Sequence, residues 1–439
     1  MSLFALWPRF GFSANPYSQE TLQADATGDT LIAGRDVDIA NLQMRIGSGG
    51  AHASVEGPIG AGKTSMINVA VYRMADACMK AKSGELFLPA VSALQPRQDV
   101  EAFVDDLFRV LAQTLIQYRG SFRQVGLPEP DTKAVDKWLN SAQYESWSGG
   151  GQAFGMGIDM GEGSEPNTSE GFTRSGFETS VRNELARVFG SGKGAIVCVL
   201  DNLEILESSG KARATLDELR DRVFNIPGVR WVLCGSRGIV SRARTQRLSG
   251  VIQAPTIVGP LEDGAAVDAV GRRIDYYGEE GATAPVTPTG FEFIYQALHR
   301  NLRDSMERAQ EFSNWLAEHY LNAGQPLPSE EDRDRLVESW LLEQAEHAYE
   351  DARGVQPRVW QFFTDLARQT AGRAGSGEYE AYGFNNQQQL TASVTALADV
   401  NLVAREIDPD NGSRTINSIT PLGWLVFFYK DRFESIAKL

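Results

Sequence analysis

The chain has 439 residues, 42% of them apolar, and its 57 acidic and 42 basic residues leave a formal net charge of −15 at pH 7. This length exceeds what one hydrophobic core usually serves, so we expect two or three domains. The negative charge disfavours sequence-independent attraction to nucleic acid or anionic lipid, although a local basic patch is compatible with it. No apolar run approaches the ~20 residues that cross a bilayer.

Residues 1–7 are too short and too uncharged to act as a secretory signal, so we expect a cytoplasmic protein. The three cysteines, Cys78, Cys198 and Cys234, lie in apolar contexts without the spacing of a metal site. We therefore expect buried thiols in a reducing compartment rather than a disulfide framework.

Short apolar runs alternate with amphipathic helices over residues 1–260, which is typical of a parallel sheet covered by helices. The predicted strands are 51–56, 87–91, 195–200, 229–234 and 253–258. The predicted helices 101–118 and 177–189 flank a segment at 148–169 that is too rich in Gly and Ser to pack a core. We expect that segment to be a mobile insertion or a short hairpin.

The first predicted strand leads into GPIGAGKTS, which has the spacing G-x-x-x-x-G-K-[ST] of a P-loop. Its glycines allow a tight turn in which backbone N–H groups converge on a phosphate. Lys63 would reach the β- and γ-phosphates, Thr64 would offer its hydroxyl to Mg²⁺, and the next helix would point its positive end at the same charge. The predicted nucleotide-binding residues are Gly57, Pro58, Ile59, Gly60, Ala61, Gly62, Lys63, Thr64 and Ser65.

A P-loop site also needs a carboxylate for the Mg²⁺ shell, usually at the end of a buried strand beside the loop. Asp201 ends the predicted strand 195–200, so Thr64 and Asp201 are the predicted metal ligands. Asn202 follows, where an efficient hydrolase of this type commonly carries a Glu that polarises water. An amide cannot accept a proton as a carboxylate does. Either Glu204 takes this role or hydrolysis is slow.

With these residues the chain resembles the AAA+ ATPases, in particular the branch of origin-recognition and replication-initiation ATPases, and to some degree the signal-transducing STAND ATPases. The resemblance spans nearly the whole chain and implies an α/β fold with ATP and Mg²⁺ as cofactors. It implies a P-loop parallel sheet with helices on both faces at 1–260, a helical lid at 261–324, and a linker helix with a winged-helix domain at 325–439.

Two further segments carry the resemblance in the N-terminal part. The stretch NPYSQETLQADATGDTLIAGRDVDI is similar to the approach to the P-loop in that branch, where a Gly-Arg pair precedes a helix. The resemblance places adenine beside Ile32, Gly34 and Arg35. The stretch WVLCGSRG matches the sensor-one position, so Ser236 and Arg237 are candidates for contacting the γ-phosphate or its water.

The stretch QRLSGVIQAPTIVGPLEDG resembles the region that supplies an arginine to a neighbouring subunit's nucleotide. Arg247 is the best positional match and Arg244 is the alternative. A planar, permanently charged guanidinium suits contact with two phosphate oxygens. A solvated surface arginine is the equally open alternative.

The stretch ALHRNLRDSMERAQEFSNWL resembles the lid, where the pattern Gly-Asn-x-Arg supplies a second sensor. Arg300 replaces the Gly of that pattern, whereas Asn301 and Arg303 retain it. We expect Arg303 to close the lid on the γ-phosphate. The alternative is that Arg303 pairs with Glu307 one turn along the helix.

After a Pro-containing linker at 323–329, predicted helices at 357–369 and 387–399 precede a strand pair with DNG at its turn, which indicates a winged helix. Residues 384–402 contain no Lys or Arg, and 350–439 hold 9 basic and 11 acidic residues, a net charge of −2. DNA binding usually requires several phosphate neutralisations. Asp408 and Asp410 lie between the flanking basic residues Arg405 and Arg414. A protein-docking or nucleotide-sensing domain is therefore favoured over a DNA reader.

The leading hypothesis is an ATP-binding molecular switch with slow hydrolysis, whose nucleotide state controls self-assembly or recruitment of a protein effector. The resemblance permits a use in bacterial anti-phage defence, and no membrane partner is expected. A DNA-binding initiator or transposition regulator is the alternative. A motor driven by repeated hydrolysis is a third hypothesis, against which Asn202 counts.

Overall fold

The computed structural model describes residues 5–97, 99–133, 174–190, 192–206, 209–262, 264–370, 372–375, 377–407 and 415–436. The Gly-rich segment at 148–169 lies outside the described residues. So does the tip of the predicted wing, with Asp408, Asp410 and Arg414. The expectations for both regions stay predictions.

In the described N-terminal part, five strands form one parallel sheet in the order β2-β3-β4-β1-β5. The strands are β1 (Ala53–Glu56), β2 (Leu86–Pro89), β3 (Gly194–Leu200), β4 (Val229–Gly235) and β5 (Thr256–Ile257). Each overlaps one of the runs that the sequence predicts. The pairing Val55 with Cys234 and Val199 with Val232 places β4 between β1 and β3. The carboxyl ends of all five strands therefore meet at one edge of the sheet.

Helices cover both faces of this sheet, as the nearly continuous apolar character of its strands requires. The helices are α1 (Ala26–Leu31), α2 (Asp36–Gly47), α3 (Lys63–Ala81), α4 (Val100–Gln117), α5 (Arg119–Gln124), α6 (Arg174–Phe189), α7 (Ser209–Leu219), α8 (Ile239–Ala243) and α9 (Gln246–Ser249). One apolar cluster joins α4 and α6 to the sheet, and another joins α2 and α3 to its opposite face. This layering confirms the predicted fold class.

A third apolar cluster holds the helical lid together. Its helices are α10 (Ala265–Tyr277), α11 (Pro288–Ala297), α12 (Leu302–Leu316) and α13 (Glu330–Asp351). The N-terminal segment joins this cluster through Phe10, Phe12 and Tyr17. The Tyr17 hydroxyl donates to the carbonyl oxygen of Val286 at 2.5 Å and accepts the Val286 N–H at 3.1 Å. The segment that precedes the P-loop is thereby fixed to the lid.

The C-terminal region is a winged helix with its own apolar cluster, as predicted. Its elements are α14 (Pro357–Gln369), β6 (Arg373–Gly375), α15 (Gln387–Asp399), β7 (Val403–Ile407), β8 (Thr415–Ile419) and α16 (Pro421–Ile436). The three strands pair antiparallel in the order β6-β8-β7. The sequence did not indicate β6, because three residues, Arg-Ala-Gly, are too short to show an alternating pattern.

Helix α13 belongs to two clusters. Val337, Trp340 and Leu341 near its middle pack in the lid cluster. Tyr349 near its end and Ala352 just after it pack in the winged-helix cluster. The helix therefore ties the lid to the winged helix along a continuous apolar face, while the predicted domain boundary at residue 325 stays a prediction.

The cysteines fit the expectation from their sequence contexts. Cys198 and Cys234 are buried, Cys78 is partly buried, and all three are free. Burial raises the pKa of the Cys198 and Cys234 thiols, so both are protonated and unreactive at neutral pH. Among the helices described, none combines the length and the apolar content that crossing a membrane requires.

Candidate nucleotide site

The P-loop lies between β1 and α3 and has the backbone that its glycines allow. Gly60 and Gly62 adopt φ values of +80° and +79°, which L side chains rarely reach. Lys63 is buried, and its ammonium donates to the carbonyl oxygens of Gly57 and Pro58 at 3.1 and 3.0 Å. The charge is therefore held inside the loop, at the positive end of a 19-residue helix.

Thr64 and Asp201 lie together at the carboxyl edge of the sheet. The Thr64 hydroxyl donates to Oδ2 of Asp201 at 2.9 Å, and the Asn202 N–H donates to Oδ1 at 2.9 Å. A hydroxyl and a carboxylate are hard oxygen ligands of the kind that Mg²⁺ prefers. The two residues thus fit the predicted metal site, although β4 intervenes between the P-loop strand and the strand that Asp201 ends.

The intervening strand brings the sensor-one candidate to this edge. The Ser236 N–H donates to Oε2 of Glu204 at 3.2 Å, so one carboxylate oxygen of Glu204 is fixed by the loop after β4. Asn202 adopts φ +57°, a left-handed conformation that Asn tolerates better than most residues. Arg237 is exposed. Both Asn202 and Glu204 line the cavity in front of the P-loop.

Glu56, the last residue of β1, is a site residue that the sequence reasoning missed. Its side chain is buried and accepts the backbone N–H groups of Gly238, Val240 and Ser241 at 2.6–3.1 Å, together with the Ser241 hydroxyl. The strand that leads into the P-loop therefore caps the helix that follows the sensor-one segment. A carboxylate ending an apolar strand was the available signal.

The start of lid helix α12 closes over the P-loop. A Cβ atom added at Gly60 would lie 2.6 Å from Oδ1 of Asn301 and 3.0 Å from Cβ of Arg303. Asn301 caps α12 by accepting the Asp304 N–H at 3.3 Å. Arg303 lines the cavity, and the described contacts give it neither a hydrogen bond nor an ion pair, including the one considered with Glu307.

The turn before α12 has a left-handed backbone at two successive residues. His299 and Arg300 adopt φ values of +52° and +61°. Glycine reaches this region without steric cost, whereas other residues are strained there by about 1 kcal/mol or more. This left-handed backbone explains why the pattern Gly-Asn-x-Arg has a glycine at the position that Arg300 occupies in this chain.

The cavity brings together ten of the predicted residues. Six come from the P-loop: Ile59, Gly60, Gly62, Lys63, Thr64 and Ser65. The other four are Asp201, Asn202, Glu204 and Arg303. The lining also includes residues that the sequence did not indicate, namely Ser18, Gln19, Glu20, Thr21, Arg273, Leu302 and Met306. Arg273 lies outside the stretches that carry the resemblance; the other six lie within two of them, where no spacing rule distinguishes them from their neighbours.

The residues assigned to adenine are not among those that line this cavity. Ile32 is buried in the cluster around α2 and α3. Gly34 adopts φ +65°, and a Cβ there would lie 2.5 Å from Cβ of Ala265. The Arg35 guanidinium donates to the carbonyl oxygens of Ala61 and Gly259 at 2.9 and 2.6 Å. Arg35 thus stabilises the P-loop through the backbone of Ala61. The adenine assignment stays a prediction.

The two arginines considered for contact with a neighbouring subunit's nucleotide differ in their surroundings. Arg244 donates to the carbonyl oxygens of Ile252 at 2.6 Å and Ser249 at 3.2 Å, so it holds the loop before β5. The Arg247 side chain is 65% exposed and lies 4.0 Å from Asp221. Of the two, Arg247 is the arginine that a neighbouring molecule can reach.

The strand order β2-β3-β4-β1-β5, with the P-loop after β1 and Asp201 after β3, is that of the AAA+ ATPases, and a helical lid and a winged helix follow. The chain has the AAA+ fold. No protein-family model and no curated protein matches its sequence.

Several solved structures with the AAA+ fold are similar over nearly the full length. The Aeropyrum pernix ORC1 protein in complex with DNA is 13% identical, with a TM-score of 0.41, covering 92% of this chain and 94% of that one. The Aeropyrum pernix ORC2 protein, solved as ADPNP-ADP complexes, is 13% identical, with a TM-score of 0.43 and coverages of 93% and 97%. CDC6P from Pyrobaculum aerophilum is 14% identical, with a TM-score of 0.38 and coverages of 96% and 98%.

Proposed function

We propose that the protein is an ATP-binding switch with slow hydrolysis, in which nucleotide held between the P-loop and the lid sets the position of the winged helix. One observation carries this proposal. Residues 299–303 contact both the P-loop and the winged helix. Asn301 and Arg303 face Gly60 of the P-loop, and His299 stacks on Trp424 of α16. A change at the phosphates is thereby passed to the winged helix through five residues.

The residues of the cavity have distinct parts in nucleotide binding. Lys63 and the loop N–H groups bind the β- and γ-phosphates. Thr64 and Asp201 hold Mg²⁺, which neutralises phosphate charge. The γ-phosphate is the anionic partner of Arg303. Because ADP lacks that group, the lid closes more tightly over ATP than over ADP.

The size of the expected effect decides how many contacts the switch needs. A hydrogen bond to a charged group contributes about 1.5–3 kcal/mol. Moving a two-state ratio from 1:99 to 99:1 requires about 5.5 kcal/mol. Arg303 alone therefore shifts the ratio without completing that reversal to 99:1. A second arginine from a neighbouring copy supplies the rest, so ATP and assembly support each other, and Arg247 is the proposed residue.

Slow turnover is consistent with this role. Asn202 occupies the position next to Asp201 and offers no proton acceptor, while one oxygen of Glu204 is already engaged by the Ser236 N–H. A long-lived ATP state suits a switch that must persist until its partner arrives. We propose a second copy of the chain or a protein effector as that partner.

A DNA-binding initiator is the second candidate, favoured by the winged helix with α15 directly before its strand pair. The side chains of that region oppose it. Helix α15 contains no Lys or Arg. Arg405, which flanks the wing, donates to the Thr391 carbonyl oxygen at 3.1 Å and to the Thr395 hydroxyl, both on α15. Arg405 therefore adds one positive charge beside α15, which is fewer than the several phosphate neutralisations that DNA binding usually requires.

Hydrogen–deuterium exchange tests the switch. ATP should slow amide exchange in both the P-loop helix α3 and the C-terminal helix α16, and ADP should slow it in α3 with a smaller effect on α16. Lys63→Ala, which removes the phosphate-binding ammonium, should abolish both effects. Protection by ATP that stops at the cavity and leaves α16 unchanged would falsify the proposed coupling.

A further inference from the structure

Arg273, on lid helix α10, is a buried arginine without an anionic partner in the described part of the chain. Only 8% of its surface is exposed, and it lines the same cavity as Lys63 and Thr64. One guanidinium nitrogen donates to the carbonyl oxygen of Ser18 at 3.1 Å. Its Nε atom is buried and has no hydrogen-bond partner among the described residues. The described ion pairs give Arg273 no carboxylate.

A guanidinium in this position is incompletely compensated. Burying a charge is costly unless the charge is paired and hydrogen-bonded. Burial lowers the pKa of Arg273, yet an arginine stays protonated at neutral pH. Glu20 lines the cavity too, but it is exposed and forms no ion pair with Arg273 in the described structure. No carboxylate of the described residues supplies the missing anion, so an anionic molecule that enters the cavity would supply it.

The position of Arg273 indicates which part of a nucleotide it meets. Its partner Ser18 belongs to the cavity wall at 18–21, which continues into Leu22. The Leu22 N–H donates to the Ser65 hydroxyl at 3.1 Å, so this wall runs beside the first turn of α3. Arg303 instead lies over Gly60, at the tip of the loop. The two arginines thus contact different segments of the cavity wall.

We propose that the Arg273 guanidinium donates to the α-phosphate of the bound nucleotide, so that the lid makes one contact that ATP, ADP and AMP share. The proposal rests on the nucleotide site described above. With Lys63 at the β- and γ-phosphates, the α-phosphate lies toward the Ser18 wall. Arg303 distinguishes ATP from ADP, whereas Arg273 holds the lid to any adenine nucleotide.

The test measures nucleotide affinity by calorimetry and unfolding temperature without nucleotide. Arg273→Met keeps most of the volume and removes the charge. The affinities for ATP, ADP and AMP should each fall by about 10- to 100-fold, as expected for losing one charged hydrogen bond. The nucleotide-free protein should unfold at the same or a higher temperature, because an unpaired buried charge is gone.

A purely structural tie to Ser18 predicts the reverse: a lower unfolding temperature and unchanged affinities. That result overturns the proposal, and so does a loss confined to ATP. Arg273→Lys keeps a positive charge and should lose less affinity than Arg273→Met; equal loss would overturn the pairing of the Arg273 charge with the α-phosphate. The matched control is Arg308→Met on α12, where the guanidinium is paired with Glu311 at 2.7 Å, and it should bind nucleotide normally.

The outcomes separate this inference from the proposed function. A wild-type protein that binds no nucleotide removes the P-loop site and this inference with it. A wild type that binds ATP, loses binding in Lys63→Ala and keeps it in Arg273→Met removes the Arg273 assignment alone.

Discussion

The imidazole of His299 stacks on the indole of Trp424, with ring centroids 3.8 Å apart and planes inclined by 7°. His299 lies two residues before the cap of lid helix α12, and Trp424 belongs to α16 of the winged helix. The stack stabilises a backbone at φ +52° that a non-glycine residue rarely adopts. Desolvation also lowers the pKa of His299, so a neutral ring stacks at pH 7.

Removing the histidine ring should uncouple the winged helix without harming nucleotide binding. His299→Gly keeps the left-handed backbone and deletes the ring, so ATP affinity should stay near wild type while ATP-dependent protection of α16 is lost. His299→Phe retains an aromatic face and should keep most of the protection. Hydrogen–deuterium exchange at saturating ATP measures both. Full protection in His299→Gly would show that the signal travels by another route.

Gly60 and Gly62 form a matched pair for the contact between loop and lid. Both have a left-handed backbone, so alanine at either adds strain of about 1–2 kcal/mol. A Cβ at Gly60 also meets Asn301 and Arg303, whereas a Cβ at Gly62 meets nothing within 4 Å. Without nucleotide, Gly60→Ala should therefore lower the unfolding temperature more than Gly62→Ala. Equal losses in thermal unfolding would mean that the lid does not rest on Gly60.

Substitutions of Arg303 and of Arg247 should affect different properties of the protein. Arg303→Ala should weaken ATP binding at any protein concentration, by about 10- to 100-fold for one charged hydrogen bond, and leave ADP binding nearly unchanged. Arg247→Ala should leave binding by the monomer intact and reduce ATP-dependent assembly, because a trans arginine acts across an interface. Light scattering at several protein concentrations, combined with calorimetry, distinguishes them.

Assembly should not need nucleic acid, given the −2 charge of residues 350–439. The same scattering experiment with and without duplex DNA provides the control. Oligomers that form with DNA alone would favour the initiator, and equal effects of both arginines in the monomer would exclude a trans role for Arg247.

Turnover should be slow and limited by the missing carboxylate at residue 202. Asn202→Glu should raise steady-state phosphate release, although a Glu at φ +57° is strained by about 1 kcal/mol. Asn202→Gln is the matched control, since it adds length without a proton acceptor. A fast wild type that Glu204→Gln silences would instead identify Glu204 as the working base.

His52 should make stability depend on pH. Its Nε2 lies 2.7 Å from the Phe224 carbonyl oxygen, and its Nδ1 accepts the Trp231 N–H at 3.2 Å, so the folded protein holds a neutral ring. Burial lowers its pKa to about 4. Between about pH 6.5 and 4 the unfolded chain binds a proton that the folded chain does not, so stability falls as the pH falls.

The His52 contribution to the free energy of unfolding amounts to roughly 3 kcal/mol over that window. In urea unfolding, the free energy of unfolding should fall more between pH 7 and pH 4.5 in the wild type than in His52→Asn. Parallel losses in the two proteins would exclude His52 as the source.

The elements that the sequence could predict are those with a local signature. The continuous apolar run of β3 and the spacing around Lys63 depend on neighbouring residues alone. Arg273 and Ser18 reach the cavity because the lid folds back over the sheet, and no local pattern records a contact across more than 200 positions. Arg35 was assigned from a Gly-Arg pair, yet its side chain donates to Ala61 and to Gly259, and the second contact spans 224 positions of the chain.

Helix α13 also determines how the protein can be divided. Val337 and Leu341 are fully buried and Trp340 is 6% exposed, all against the lid. A chain ended at residue 324 would lack α13 and would present to solvent the apolar lid surface that this helix covers, and such a patch favours aggregation. The lid and the winged helix should therefore melt together as one cooperative unit.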